Sequence, residues 1–101
     1  MNIENVNQSD YTKLIEIWEA SVRATHDFLR EEDILLLKPL ILENYFNVVK
    51  LKCVRNDSKQ ILGFIGVANR KIEMLFIHPQ YFGQGLGTKL VKFAIEELKV
   101  N

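Results

Sequence analysis

Three glycines at alternate positions, Gly83, Gly85 and Gly87, follow an apolar run over residues 72–77 that is closed by His78-Pro79. Few architectures can use that order. Proline cannot donate to a β-ladder, so the apolar run reads as a strand that stops at Pro79. Leu86, Leu90, Val91, Ala94, Ile95 and Leu98 then recur at intervals of three and four, which predicts an amphipathic helix starting at the last glycines. In a strand, glycine turn and helix of this kind, several backbone N–H groups converge on one point and the helix dipole adds positive charge there. The turn is suited to an anion, and a diphosphate would fit it. Two other glycine loops fail on spacing. A P-loop needs a glycine followed at once by Lys and then Ser or Thr, whereas Gly87 is followed by Thr88 and then Lys89. A dinucleotide fingerprint follows the first strand of a fold and has an acidic residue about twenty positions on, whereas these glycines come late in the chain.

Upstream, the pattern switches from helical to extended. Ile3 and Val6 suit a short edge strand, and Ser9 and Asp10 offer oxygens to the free N–H groups of a helix that begins near Asp10. Leu14, Ile17, Trp18, Ala20 and Val22 give that helix an apolar face. Thr25 to Leu29 break the pattern, and Glu31, Glu32 and Asp33 open a second helical segment with acids at its N-terminus. Pro39 disfavours helix at Lys38, so two short helical pieces are expected, meeting at the proline. From Val49, apolar and basic residues alternate in a half-wet strand; a turn at residues 56–59 and a strand over residues 60–68 complete a hairpin. Asn69-Arg70 connects to the strand over residues 72–77, giving three consecutive antiparallel strands.

The 101 residues, 48% of them hydrophobic, suit a single domain with one core. Thirteen basic residues balance thirteen acidic ones, so nothing favours nucleic acid or an anionic membrane as a partner. Cys53 is the only cysteine, which excludes an intramolecular disulfide and a cysteine-rich zinc site and fits a reducing compartment. The first residues have no basic start and apolar run of a secretory signal, and the expected location is cytoplasmic.

The order from Ile72 through Thr88 resembles the acetyl-CoA-binding motif of the GCN5-related N-acetyltransferase superfamily: a strand, a variable loop, then Arg or Gln-x-x-Gly-x-Gly or Ala. Here the motif reads Phe82-Gly83-Gln84-Gly85-Leu86-Gly87. The preceding Ile72-Glu73-Met74-Leu75-Phe76-Ile77-His78-Pro79 is similar to that family's fourth strand, whose backbone pairs with the pantetheine arm like an added strand. Ser21 to Leu29 resemble the junction of the first two helices in a bacterial subgroup, so the resemblance covers nearly the whole chain. It implies an α+β fold, α/β/α sandwich-like, around a mostly antiparallel sheet, with residues 1–101 as one acetyltransferase domain. It also implies acetyl-CoA as co-substrate and, with no metal, transfer of its acetyl group by direct attack to a primary amine of a small molecule or protein. Leu75, Phe76 and Ile77 would hold the cofactor through their backbone, with Phe82, Gly83, Gln84, Gly85, Leu86, Gly87 and Thr88 at the diphosphate.

Two departures stand beside it. Phe82 occupies the position of the usual Arg or Gln, removing one polar contribution. The chain stops at Asn101, before the family's splayed fifth strand, fourth helix and last strands, and the fold is expected to lack them. That shortness keeps alternatives open: a fragment of a longer gene product, a CoA-binding module without a complete acceptor site, and a self-associating protein. In the self-associating case, the strand over residues 72–77 would be an uncovered edge through which a homodimer forms.

Amide formation from a thioester needs a neutral amine, a polarised carbonyl and a route for protons. Glu73 sits at the strand position matching the family's base; its bland alternative is a solvated residue at a strand start. By strand alternation it shares a face with Leu75 and Ile77. The backbone N–H groups of Leu75, Phe76 and Ile77 are candidates for the developing oxyanion. His26 falls where the resemblance places the acceptor, and an imidazole there could bind or deprotonate an amine; a loop or capping histidine explains it equally well. Arg23, Asp27 and Phe28 could line the same opening, or form a charged helix end with an apolar anchor. His78 reads as a loop residue, Trp18 as core, and Cys53 as a small buried apolar residue with no base beside it in sequence.

Overall fold

The computed structural model describes residues 1–25 and 29–101. Four strands, β1 (Asn2–Asn5), β2 (Lys50–Arg55), β3 (Ile61–Ala68) and β4 (Lys71–Ile77), form one open sheet in sequence order. Every neighbouring pair is antiparallel. Helices α1 (Tyr11–Thr25), α2 (Glu31–Leu40) and the single turn α3 (Phe46–Val48) cover one face, and α4 (Leu86–Glu97) covers the other. The result is the α/β/α layering that the resemblance implies, with the short start of the chain as an edge strand, Ile3 opposite Val54. Among the described residues no helix is long and apolar enough to cross a membrane.

The core divides on the sheet. Leu14, Ile17, Trp18 and Val22 of α1, with Ile34, Ile41 and Phe46, pack on Leu51, Cys53, Ile61 and Phe64. Leu86, Leu90 and Ala94 of α4 pack on Val54, Leu62, Ile65 and Val67. Strand β3 lies between the two clusters and is buried from Ile61 to Val67, which is why its sequence is almost unbrokenly apolar and does not alternate. A bulge at Leu62 helps it serve both layers. Val54 pairs with Gly63 and Arg55 with Ile61, leaving Leu62 as the extra residue, turned toward α4, while its carbonyl accepts from the His78 N–H at 2.9 Å.

Local chemistry accounts for the joints. The Asn56 Oδ1 accepts from the N–H groups of Ser58 and Gln60 at 2.9 and 3.0 Å, an Asx turn that reverses β2 into β3. Asn69 and Arg70, at φ 53° and 63°, form the two-residue left-handed connection whose twist matches a hairpin. Ahead of α1 the cap differs from expectation. The Asp10 carboxylate reaches back to the Asn7 N–H at 2.9 Å over a 3₁₀ turn, Gln8–Asp10, whereas Ser9 makes no such bond. Asp33 does the same for the Arg30 N–H at 3.0 Å ahead of α2.

The second helical region corrects the expectation of two pieces meeting at Pro39. Helix runs through the proline to Leu40, continues as a π turn, Ile41–Tyr45, and ends in α3. The proline is tolerated because Leu35, whose carbonyl loses its partner, and Pro39 both lie on the exposed side, where water can replace the missing bond. At the far end of the chain α4 stops at Glu97; Ile95, placed on the apolar face by its spacing, is 53% exposed and turns away from the sheet.

Candidate active site

Strand β4 leads directly into the glycine turn. Pro79–Tyr81 form a 3₁₀ turn capped by His78, whose Nδ1 accepts from the Gln80 N–H at 3.1 Å and whose ring meets that of Tyr81 at 6.0 Å. Tyr81 anchors the turn in the α4 layer. Phe82 follows in extended backbone and is exposed, so it presents an aromatic surface where the resemblance leads one to look for Arg or Gln. Gly83 and Gly85 take φ values of 78° and 80°, a region that other residues enter only with strain. A Cβ at Gly83, Gly85 or Gly87 would meet no atom within 4 Å. The glycines are therefore needed for backbone direction and for open space above the turn.

Gly85 is the N-cap of α4, and the first intrahelical bond runs from the Lys89 N–H to the Gly85 carbonyl at 3.0 Å. The N–H groups of Leu86, Gly87 and Thr88 precede that bond and have no helical acceptor. Donors without partners, positive dipole and empty space together make a cradle that fits a diphosphate. Leu86 contributes only its backbone, because its side chain is buried against the sheet, while Gln84 and Thr88 are exposed at the rim.

Beside this cradle, β4 is the last strand of the sheet. Its outer edge has no partner strand among the described residues, so alternate N–H and C=O groups of Leu75, Phe76 and Ile77 point away from β3. Phe76 packs its ring on Phe64 at 5.8 Å, Ile77 joins the α4 cluster, and Leu75 is exposed. The side chains thus fix the strand and leave its edge available.

Simple alternation does not hold at Glu73. Gly66 pairs with Met74 but Val67 pairs with Ile72, so Glu73 is an extra residue bulged out of the ladder. Glu73 and Met74 both line a hollow of about 440 Å³ with Ala68 and with Tyr45, Val48 and Val49 from the α3 region. Among the described residues Glu73 has no ion-pair partner. Tyr45, Val48 and Met74 were not singled out from the sequence; no motif marks them, since their proximity to Glu73 depends on the bulge and on the π turn.

His26, Asp27 and Phe28 lie outside the described residues. Arg23, in the last turn of α1, holds Glu19 at 2.9 Å and Glu31 at 2.7 Å, and Lys38 holds Glu19 at 2.6 Å, so these charges fasten α2 to α1. Lys38 first, and then Arg23, keep the Glu19 carboxyl below its usual range; Arg23 does the same for Glu31. Burial pushes the Cys53 thiol up, in keeping with a core residue. A larger hollow of about 540 Å³ lies at the β1 edge, lined by Ile3, Glu4, Asn5, Asn7, Lys52 and Phe93. Its charges are already engaged, Lys52 with Asn5 and over the Phe93 ring, and Glu4 with Arg55 at 3.1 Å.

Comparison with known proteins agrees with this geometry. The profile of the acetyltransferase (GNAT) domain matches residues 39–101, which include strands β2 to β4, the glycine turn and α4. The peptidyl-lysine N-acetyltransferase YjaB of Salmonella typhimurium is 34% identical over 95 residues, covering 94% of this chain and 65% of that protein. The solution structure of apo YjaB from Escherichia coli superposes with a TM-score of 0.82 at 32% identity, over 93% of this chain and 63% of that one. The PaiA N-acetyltransferase of Thermoplasma acidophilum, solved in complex with coenzyme A, shares the fold with a TM-score of 0.80 at 21% identity, over 97% of this chain and 71% of the other. The chain thus spans a little less than two thirds of the YjaB proteins it matches. With its strand, glycine cradle and helix in this order and this sheet behind them, the chain belongs to the acetyltransferase (GNAT) domain family, on the side of the YjaB-like proteins.

Proposed function

We propose that the chain binds acetyl-CoA along β4 and the glycine turn and passes the acetyl group to a primary amine. The observation that carries this reading is the cradle of Gly83, Gly85 and Gly87 at the start of α4, open to solvent and placed at the end of a free strand edge. The N–H groups of Leu86, Gly87 and Thr88 would receive the diphosphate, and the edge of Leu75, Phe76 and Ile77 the pantetheine arm. Phe82 offers no charge, so the backbone supplies the anion contact.

In the transfer, the amine nitrogen forms a bond to the thioester carbonyl carbon, the C–S bond breaks with its electron pair going to sulfur, and the proton that the nitrogen then sheds passes through water to the thiolate. A backbone N–H of the β4 edge would stabilise the oxygen as charge develops on it. The amine must first lose a proton. Among the described residues, Glu73 is a carboxylate beside this strand edge without an ion pair, and is suited to take that proton directly or through water. YjaB is called a peptidyl-lysine N-acetyltransferase, and PaiA was crystallised with coenzyme A; both descriptions are in keeping with the reading.

Isothermal titration of acetyl-CoA into the chain tests it. Saturable binding is expected, and loss of that binding in a folded Gly85→Glu variant, whose carboxylate would crowd and repel the diphosphate. Unchanged affinity in that variant would refute the placement.

A further inference from the structure

The groove beside Glu73 is built by two irregularities, each of one extra residue. In an α-helix of about 3.6 residues per turn, the residue four positions after the buried Ile41 would share its inward face, and the residue five positions after would not. That spacing would bury Tyr45 and expose Phe46. The π turn, Ile41–Tyr45, adds a residue and reverses the outcome: Phe46 is 1% exposed and Tyr45 is 49% exposed. Phe46 fits between Tyr11 and Phe64, at ring distances of 5.2 and 5.8 Å, while Tyr45 turns to the groove. Across from it, the bulge at Glu73 brings a carboxylate to the same hollow. Between them the walls are apolar: Val48, Val49, Ala68 and Met74.

We propose that Tyr45 determines which acceptor this protein takes, and that the groove receives a primary alkylammonium on an unbranched apolar stem. The stem lies against Val48, Val49, Ala68 and Met74, and the ammonium sits between the Glu73 carboxylate and the face of the Tyr45 ring. The charge complementarity is direct. Glu73 has no cationic partner among the described residues, and an aromatic face attracts an alkylammonium in the same sense as a carboxylate does. Among the described residues that line it, the groove has one anion and no second, so it discriminates against a diamine of equal length, whose far cation would lie on apolar walls without a partner. A short stem leaves those walls wet. The inference deepens the acetyltransferase reading and rests on it for its consequence in turnover, but binding of the amine is measurable without turnover.

The test is titration of the labelled chain with n-pentylamine, ethylamine and 1,5-diaminopentane, followed by NMR in the wild type, Tyr45→Phe and Tyr45→Ala, with acetyl transfer to pentylamine assayed alongside. Pentylamine is expected to shift the signals of Tyr45, Val48 and Met74, to bind several-fold more tightly than the other two amines, and to weaken about tenfold in Tyr45→Ala but little in Tyr45→Phe. Tyr45 is half exposed, so the spectra of both variants should retain the native dispersion. Equal affinity in wild type and Tyr45→Ala, shifts confined to another region, or preference for the diamine would overturn the proposal. Pentylamine held in the groove without acetyl transfer would support the groove and refute the reaction instead.

Discussion

Two glycines show why one residue type carries different meanings in this chain. Gly85 has empty space where a side chain would start, but its φ of 80° penalises any other residue. Gly63 has ordinary backbone but no space: a Cβ there would lie 2.9 Å from the Phe76 carbonyl oxygen and 2.5 Å from Ile77 Cδ1. Gly63 therefore lets β3 and β4 approach where β4 ends. Gly63→Ala is expected to lower stability by about 1–3 kcal/mol, the usual cost of overpacking a filled core, in a chemical denaturation experiment. If acetyl-CoA binding survives in the fraction that folds, Gly63 acts through packing and Gly85 through the site. The sequence marks Gly83, Gly85 and Gly87 because their spacing is local; it gives no comparable sign at Gly63, whose requirement comes from a strand fourteen residues away in the chain.

Among the elements, the joint between α1 and α2 is held by charge. Glu19 accepts from both Lys38 and Arg23, and Arg23 also holds Glu31. A carboxyl whose folded value is depressed contributes stability that is present above its ordinary value, here 4.5, and is lost as pH falls through the lowered folded value. The melting temperature of the wild type should therefore exceed that of Glu19→Gln at neutral pH, and the two should converge as pH falls below 4.5 and through the lowered folded value. A difference independent of pH would mean that Glu19 acts through packing alone. The effect should be small and should shrink in high salt, since these groups are substantially exposed. Helix α1, strand β2 and α4 were legible because their apolar residues keep a regular period, and β3 because an unbroken apolar run stands between two turns. The stretch from α2 to α3 was not, because Pro39 argues for a break on local grounds, and only the fit of Ile34, Ile41 and Phe46 to the sheet carries the helix through it.

For the whole molecule, the open question is what lies against the outer edge of β4. The Asn101 N–H donates to the Arg70 carbonyl at 3.1 Å, so the last residues lie beside the turn from which β4 starts. The edge itself has Leu75 exposed and no charged residue between Met74 and Ile77, which leaves it able to pair with another strand. We expect concentration-dependent mass in light scattering of this chain, abolished by Leu75→Lys and reduced by saturating acetyl-CoA if the same edge takes the pantetheine. A constant monomer mass up to high concentration would refute pairing through β4.

From the sequence alone, the resemblance of the motif pointed to the family, while periodicity and spacing within a few residues marked the order of strands and helices and the glycine turn ahead of α4. The sequence also placed Glu73 on a strand beside the cradle. Tertiary structure alone decided where Glu73 faces and that Tyr45 stands with it. Both depend on an extra residue, one in a π turn and one in a bulge, and such insertions settle where the packed sheet and core accept them. Phe46 takes the space between Tyr11 and Phe64, and its neighbour in sequence is thereby turned to the groove.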